Sequence, residues 1–143
     1  IKQSSNQAIK QSSNQSLTTM SLTHMQWSEP NLDPINSSSI STPTIKNHSV
    51  THHSKHLYCF GGYDGRRNHM TLMIFSIEKQ QWHPAKHISG TPPPGRNGHT
   101  ATLAVGEDKI MIIGGWLGVG PLAASDTHVL DVSNGPDKLR WFQ

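Results

Sequence analysis

Leu57-Tyr-Cys-Phe-Gly-Gly62 returns, in the same chemical spelling, as Ile110-Met-Ile-Ile-Gly-Gly115, with the glycine pairs 53 residues apart. Other markers keep nearly the same beat. His48 and His99 are 51 residues apart, and Trp27, Trp82 and Trp141 are separated by 55 and then 59. A period near 50 signals a repeat architecture, in which a unit too small to bury its own apolar face stacks on its neighbours. Here the unit is short, rich in β-formers and punctuated by glycine, so the stack is expected to be an all-β propeller.

Outward from these stretches, each unit divides into four short strands. In residues 46–91, Ser49-Val-Thr51, His56–Phe60, Met70–Ile77 and Gln81–His83 alternate with turns, and Tyr63–Asn68 forms a loop after Gly61-Gly62. In residues 92–143 the strands are Gly98–Leu103, Lys109–Ile113, Asp126–Val132 and Leu139–Phe142. The loop after Gly114-Gly115 is longer by about nine residues and runs through Gly118, Gly120 and Pro121. Four antiparallel strands make one propeller blade.

Residues 1–15 repeat Ile-Lys-Gln-Ser-Ser-Asn-Gln on either side of Ala8. They have no apolar periodicity to offset the entropy of ordering and are expected to be a flexible low-complexity segment. Ser16–Trp27 aligns without a gap on Thr71–Trp82, matching Leu17 with Leu72 and Met20 with Phe75. Residues 16–30 are therefore expected to be the last two strands of a partial blade. Residues 31–45, rich in Pro and Ser, are expected to connect it to the next.

Together these features resemble the kelch repeat: the two apolar runs ending in Gly-Gly, Arg96-Asn-Gly-His99 after a Pro-rich stretch, and Thr127–Val132 followed by Trp141. The resemblance covers residues 46–143 well and 16–30 weakly. It implies a propeller of several blades around a channel. About two and a half blades cannot close such a ring, and the chain opens on Ile1, so a fragment of a longer protein is expected, with the remaining blades in the same chain. Two departures stand out. Ile45 lies where the next unit has Arg96, and His52-His53 lie where it has Leu103-Ala104.

The markers have physical roles independent of the family. Gly61, Gly62, Gly114 and Gly115 permit positive φ and close approach of a neighbour. His99 marks the start of a unit. Trp82 and Trp141 are large enough to wedge between sheets, contributing on the order of 2–3 kcal/mol each by burial.

Composition narrows the functional classes. Net charge is +3, and the basic residues are dispersed, with Arg66-Arg67 the one adjacent pair, so no nucleic-acid partner is expected. No apolar run approaches the roughly 20 residues that span a bilayer, and no membrane partner is expected. Cys59, the single cysteine, precludes an internal disulfide and suits a reducing, cytoplasmic setting.

Three clusters invite chemistry. His48, His52, His53 and His56 could supply zinc ligands, but a hairpin would set His52 and His53 on opposite faces, and a polar edge is the ordinary reading. Tyr58 and Cys59, the pair suggestive of a copper–radical site, also face opposite ways, so Cys59 is expected in the core. Asp126 and Asp131, at odd spacing in a strand, do not make an acid/base pair. No P-loop, HExxH or GxSxG pattern occurs. No cofactor or metal, and no catalytic residue, is expected.

The remaining candidates are the loops after each Gly-Gly. Asp64, Arg66, Arg67, Asn68 and Trp116 should emerge at one rim, where a rigid scaffold presents binding residues. Arg and Trp often anchor interfaces, although here they could equally be solvated or packed on their own loops. The expectation is a non-catalytic adaptor or scaffold that binds a protein or peptide through these loops. Two alternatives stay open: part of a propeller enzyme (an oxidase, a lyase-like protein or a sugar isomerase) whose site needs further blades, and a degenerate piece that folds poorly.

Overall fold

The computed structural model describes residues 44–83, 85 and 87–143. The low-complexity segment at 1–15, the partial blade at 16–30 and residues 31–43 of the connection lie outside them. Among the described residues there are nine strands and no helix.

The first sheet consists of β1 (Ser49–His53), β2 (His56–Phe60), β3 (Leu72–Ser76) and β4 (Gln81–His83), in sequence order and antiparallel throughout. The second repeats this meander with β6 (Thr100–Leu103), β7 (Lys109–Ile113), β8 (Thr127–Asp131) and β9 (Leu139–Phe142). A short β5, Ile88–Ser89, adds a fifth strand, parallel to β9. The connection leaving the first blade is thus held on the outer edge of the second: the Leu139 N–H donates to the His87 carbonyl at 2.8 Å and Ser89 Oγ to the Leu139 carbonyl at 3.3 Å. Nothing in the local pattern of Ile88-Ser89 announces this strand, because its partner is 51 residues away.

The two blades pack face to face, as period-2 alternation dictates. Tyr58, Phe60 and Ile74 from the first meet Ile110, Ile112, Leu130 and Trp141 from the second in one buried cluster. Trp141 packs its ring 5.4 Å from Phe60, spanning the space between sheets. Its counterpart Trp82 is half-buried and packs edge-on against Phe75 at 5.3 Å. Cys59 is buried on the opposite face of β2 from Tyr58, and desolvation raises its pKa. Burial likewise raises the Tyr58 hydroxyl to about 12, so it stays protonated.

Polar contacts join β1 to β6 and the residues that flank it. Ser49 Oγ meets His99 Nε2 at 2.7 Å, Thr51 Oγ1 donates to the Ala101 carbonyl at 3.0 Å, and His53 Nε2 reaches Asp108 at 2.9 Å. His52 is exposed beside them. Among the described residues no group of three or more His, Cys, Asp and Glu side chains is placed to hold a metal ion.

Candidate functional site: adjacent loops at one rim

β2 and β7 both finish at the end of the blades where β1 and β6 begin, so the loops 61–71 and 114–126 emerge side by side. The glycines make this junction possible. Gly61 has φ +70°, and a Cβ there would come 2.6 Å from the Arg96 carbonyl and 2.7 Å from His99 Cε1. Next to it, the Gly62 N–H donates to that same Arg96 carbonyl at 2.8 Å. The Gly-Gly of one blade is therefore the socket for the Arg96–His99 segment of the next. Gly115 makes room for His99 within its own blade, where an added Cβ would come 2.8 Å from His99 Cβ; Gly62 stands in the same relation to His48 at 3.0 Å. Gly114 meets only the Ala124 carbonyl, at 3.8 Å.

Arg96 is the hub of the rim. Its side chain is fully buried and holds both ends of the 114–126 loop. Nη1 donates to the Gly114 carbonyl at 2.9 Å, while Nη1 and Nη2 bind the two Asp126 oxygens at 2.7 Å each. Nε donates to the Pro94 carbonyl at 3.2 Å. Asp126 also accepts from His128 Nε2 at 2.9 Å, which places the imidazole proton on that nitrogen because a carboxylate only accepts. The bonds from Arg96 and His128 hold the Asp126 carboxyl far below the usual carboxylate range. The Arg96 main chain meanwhile ties down the other loop, since its N–H donates to the His69 carbonyl at 3.3 Å and its carbonyl accepts from Gly62.

The 61–71 loop is shaped by Asp64. One carboxylate oxygen accepts the N–H groups of Arg66 and Arg67 at 2.8 Å each, an Asx-type turn. The other oxygen accepts from His69 Nε2 at 2.8 Å. These bonds lower the Asp64 pKa well below normal, the two backbone bonds contributing most. Arg66 and Arg67 are exposed; the Arg67 side chain is 77% exposed, its Nε 3.9 Å from the Asp64 oxygen that His69 also meets.

Asn68 bridges the loops. Its Nδ2 donates to the Trp116 carbonyl at 2.9 Å and its Oδ1 accepts from Asn97 Nδ2 at 2.7 Å. Trp116 pairs through its backbone with Asn97 and is half-buried. Beyond it the longer loop exposes apolar side chains: Leu117 is 37%, Val119 81% and Leu122 85% exposed.

The five candidate loop residues thus share one rim, but with different duties. Arg66 and Arg67 face solvent, Asp64 and Asn68 are engaged in shaping and joining the loops, and Trp116 is anchored between them. Sequence reasoning missed the Arg96–Asp126–His128 triad and the exposed Leu117, Val119 and Leu122. The triad did leave a trace. At the positions of Arg96, Asp126 and His128 the first blade carries Ile45, Thr71 and Met73, so all three members change together between repeats.

A family model described as the KLHDC2/KLHL20/DRC7 Kelch-repeats domain matches residues 6–143. The chain is also similar to proteins described as "Rab9 effector protein with kelch motifs". It is 30% identical over 101 residues to that of Mus musculus, covering 71% of this chain and 23% of the relative. To that of Bos taurus it is 30% identical over 95 residues, covering 66% and 24%. To that of Homo sapiens it is 28% identical over 87 residues, covering 61% and 22%. This chain belongs to the kelch-repeat family, and its described blades are kelch blades. It spans about a quarter of the length of the curated relatives it matches.

Proposed function

We propose that this chain is part of a kelch propeller serving as a non-catalytic protein-interaction module, an adaptor or scaffold that engages a protein through the rim formed by loops 61–71 and 114–126. The observation that carries the reading is the joining of these loops. Asn68 and Arg96 lock the loops of two blades into one surface, and that surface presents Arg66, Arg67, Leu117, Val119 and Leu122 to solvent. A rigid base with outward charged and apolar side chains suits recognition, because little entropy is lost when the partner docks.

The relatives' description as Rab9 effectors supports a Rab GTPase as the partner class. The test is binding of the immobilised chain to purified Rab9 and a panel of other Rab proteins, each loaded with GDP or a non-hydrolysable GTP analogue. Nucleotide-dependent retention that weakens in Arg66→Glu/Arg67→Glu supports the reading. No retention of any Rab in either state removes the Rab assignment, and retention indifferent to the rim variant moves the site elsewhere.

A further inference from the structure

Charge divides unevenly between the two ends of the blades. Of the seven acidic residues among those described, only Asp64 and Asp126 lie at the loop rim, and both are engaged, Asp64 by backbone amides, His69 and, at 3.9 Å, Arg67, and Asp126 by Arg96 and His128. Glu78, Glu107, Asp108, Asp131 and Asp137 lie at the opposite end, in or beside the turns that join β3 to β4, β6 to β7 and β8 to β9, interspersed with Lys55, Lys79, Lys109 and Lys138. That end is close to neutral, whereas among the described residues the rim exposes three cations, Lys46, Arg66 and Arg67, against the partly exposed carboxylate of Asp64, which lies 3.9 Å from Arg67 Nε. The apolar loop approaches the 61–71 loop at Asn68, the residue that follows Arg67: a Cβ on Gly118 would lie 3.4 Å from Asn68 Nδ2.

Resting on the module reading above, we infer that the rim recognises an acidic protein segment whose carboxylates alternate with apolar side chains, the carboxylates meeting Arg66 and Arg67 and the apolar groups covering Leu117, Val119 and Leu122. Guanidinium forks match carboxylates in pairs, and exposed Arg side chains on the same rim as exposed aliphatic groups favour a partner that supplies both chemistries at once. An anionic bilayer would attract the same residues, but stable adsorption generally takes a cluster of about 4–8 basic side chains, and among the described residues the rim exposes three, Lys46, Arg66 and Arg67.

The inference is tested by selecting a random-peptide display library against the immobilised 143-residue chain, then measuring enriched peptides by fluorescence anisotropy. Enrichment of peptides carrying both Asp/Glu and Leu/Ile/Phe/Val is expected. Arg66→Gln/Arg67→Gln should weaken them roughly tenfold, the scale of two exposed ion pairs, and remove most of their salt dependence. Val119→Ser/Leu122→Ser should weaken them while leaving the salt dependence intact. All four substitutions are at exposed positions, and proton NMR dispersion reports whether each variant keeps the fold. Enriched peptides without acidic residues, or binding unaltered by the Arg pair, overturn the inference and leave the module reading standing. Enrichment of nothing overturns both. Binding of the chain to vesicles of 30% phosphatidylserine in phosphatidylcholine, lost in the Arg variant, without peptide binding, would assign the rim to a lipid surface instead.

Discussion

Arg96 and Asp126 form a two-pronged ion pair, both contacts at 2.7 Å, that pins the far end of the 114–126 loop to the segment connecting the blades. The guanidinium is 0% exposed, so it has no water to fall back on if the carboxylate is removed. The preceding blade fills the corresponding positions with Ile45 and Thr71, and Ile45 approaches Gly62 there: a Cβ on that glycine would lie 3.2 Å from Ile45 Cβ. One fold position thus has two self-consistent solutions, ionic or apolar, and a mixture of them is costly.

Asp126→Ala is expected to destabilise the chain by about 3 kcal/mol, since it strands a buried cation. The triple substitution Arg96→Ile/Asp126→Thr/His128→Met, which copies the other blade, is expected to cost less than Asp126→Ala alone. Urea denaturation of the two variants checks the order, and a triple variant that is the weaker of the two contradicts it.

Gly61→Ala is expected to cost roughly 2–4 kcal/mol, because the added methyl meets the Arg96 carbonyl and the His99 ring and the residue is held at positive φ. Gly114→Ala, at φ +69° but with nothing closer than 3.8 Å, should cost only the conformational part, about 1 kcal/mol. The comparison of the two midpoints isolates the contact between blades from backbone strain.

Trp141→Ala is expected to lose roughly 3–5 kcal/mol, the range for a fully buried aromatic. Trp82→Ala should lose less within this chain, where the ring is half-buried against Phe75. Thermal unfolding followed by circular dichroism distinguishes the two.

His99 makes the junction sensitive to acid. Burial, then the neighbouring charges of Arg96 and His48, push its pKa down to about 4 from an ordinary 6.5. Between those values the unfolded chain takes up a proton that the folded one refuses, so the contribution is fully present above pH 6.5 and is lost as pH falls towards 4. The slope from this group is on the order of 1.4 kcal/mol per pH unit. His99→Gln should flatten the stability profile between pH 6.5 and 4 relative to the parent chain, measured by urea titration at each pH. An unchanged slope would contradict a neutral, buried imidazole.

The class of fold was legible because its causes are local and repeated. Leu57–Gly62 and Ile110–Gly115 are short apolar runs, buried from Tyr58 onward in the first and alternately in the strand of the second, and their glycines stand where positive φ is required, so the strands, the turns and the rim loops could be placed without any knowledge of distant neighbours. The basic pair Arg66-Arg67 was legible too, as residue types on a loop. What Asp64 does there was not, because a carboxylate turned onto its own backbone reads the same as one facing solvent.

Only the tertiary structure decided which polar residues are buried and which apolar ones are not. Arg96 finds Asp126 thirty residues away, β5 finds β9 across an entire blade, and Leu117, Val119 and Leu122 are left exposed. Each outcome depends on which segments the chain brings together, and the energy of a charge or a methyl group follows its surroundings more than its identity.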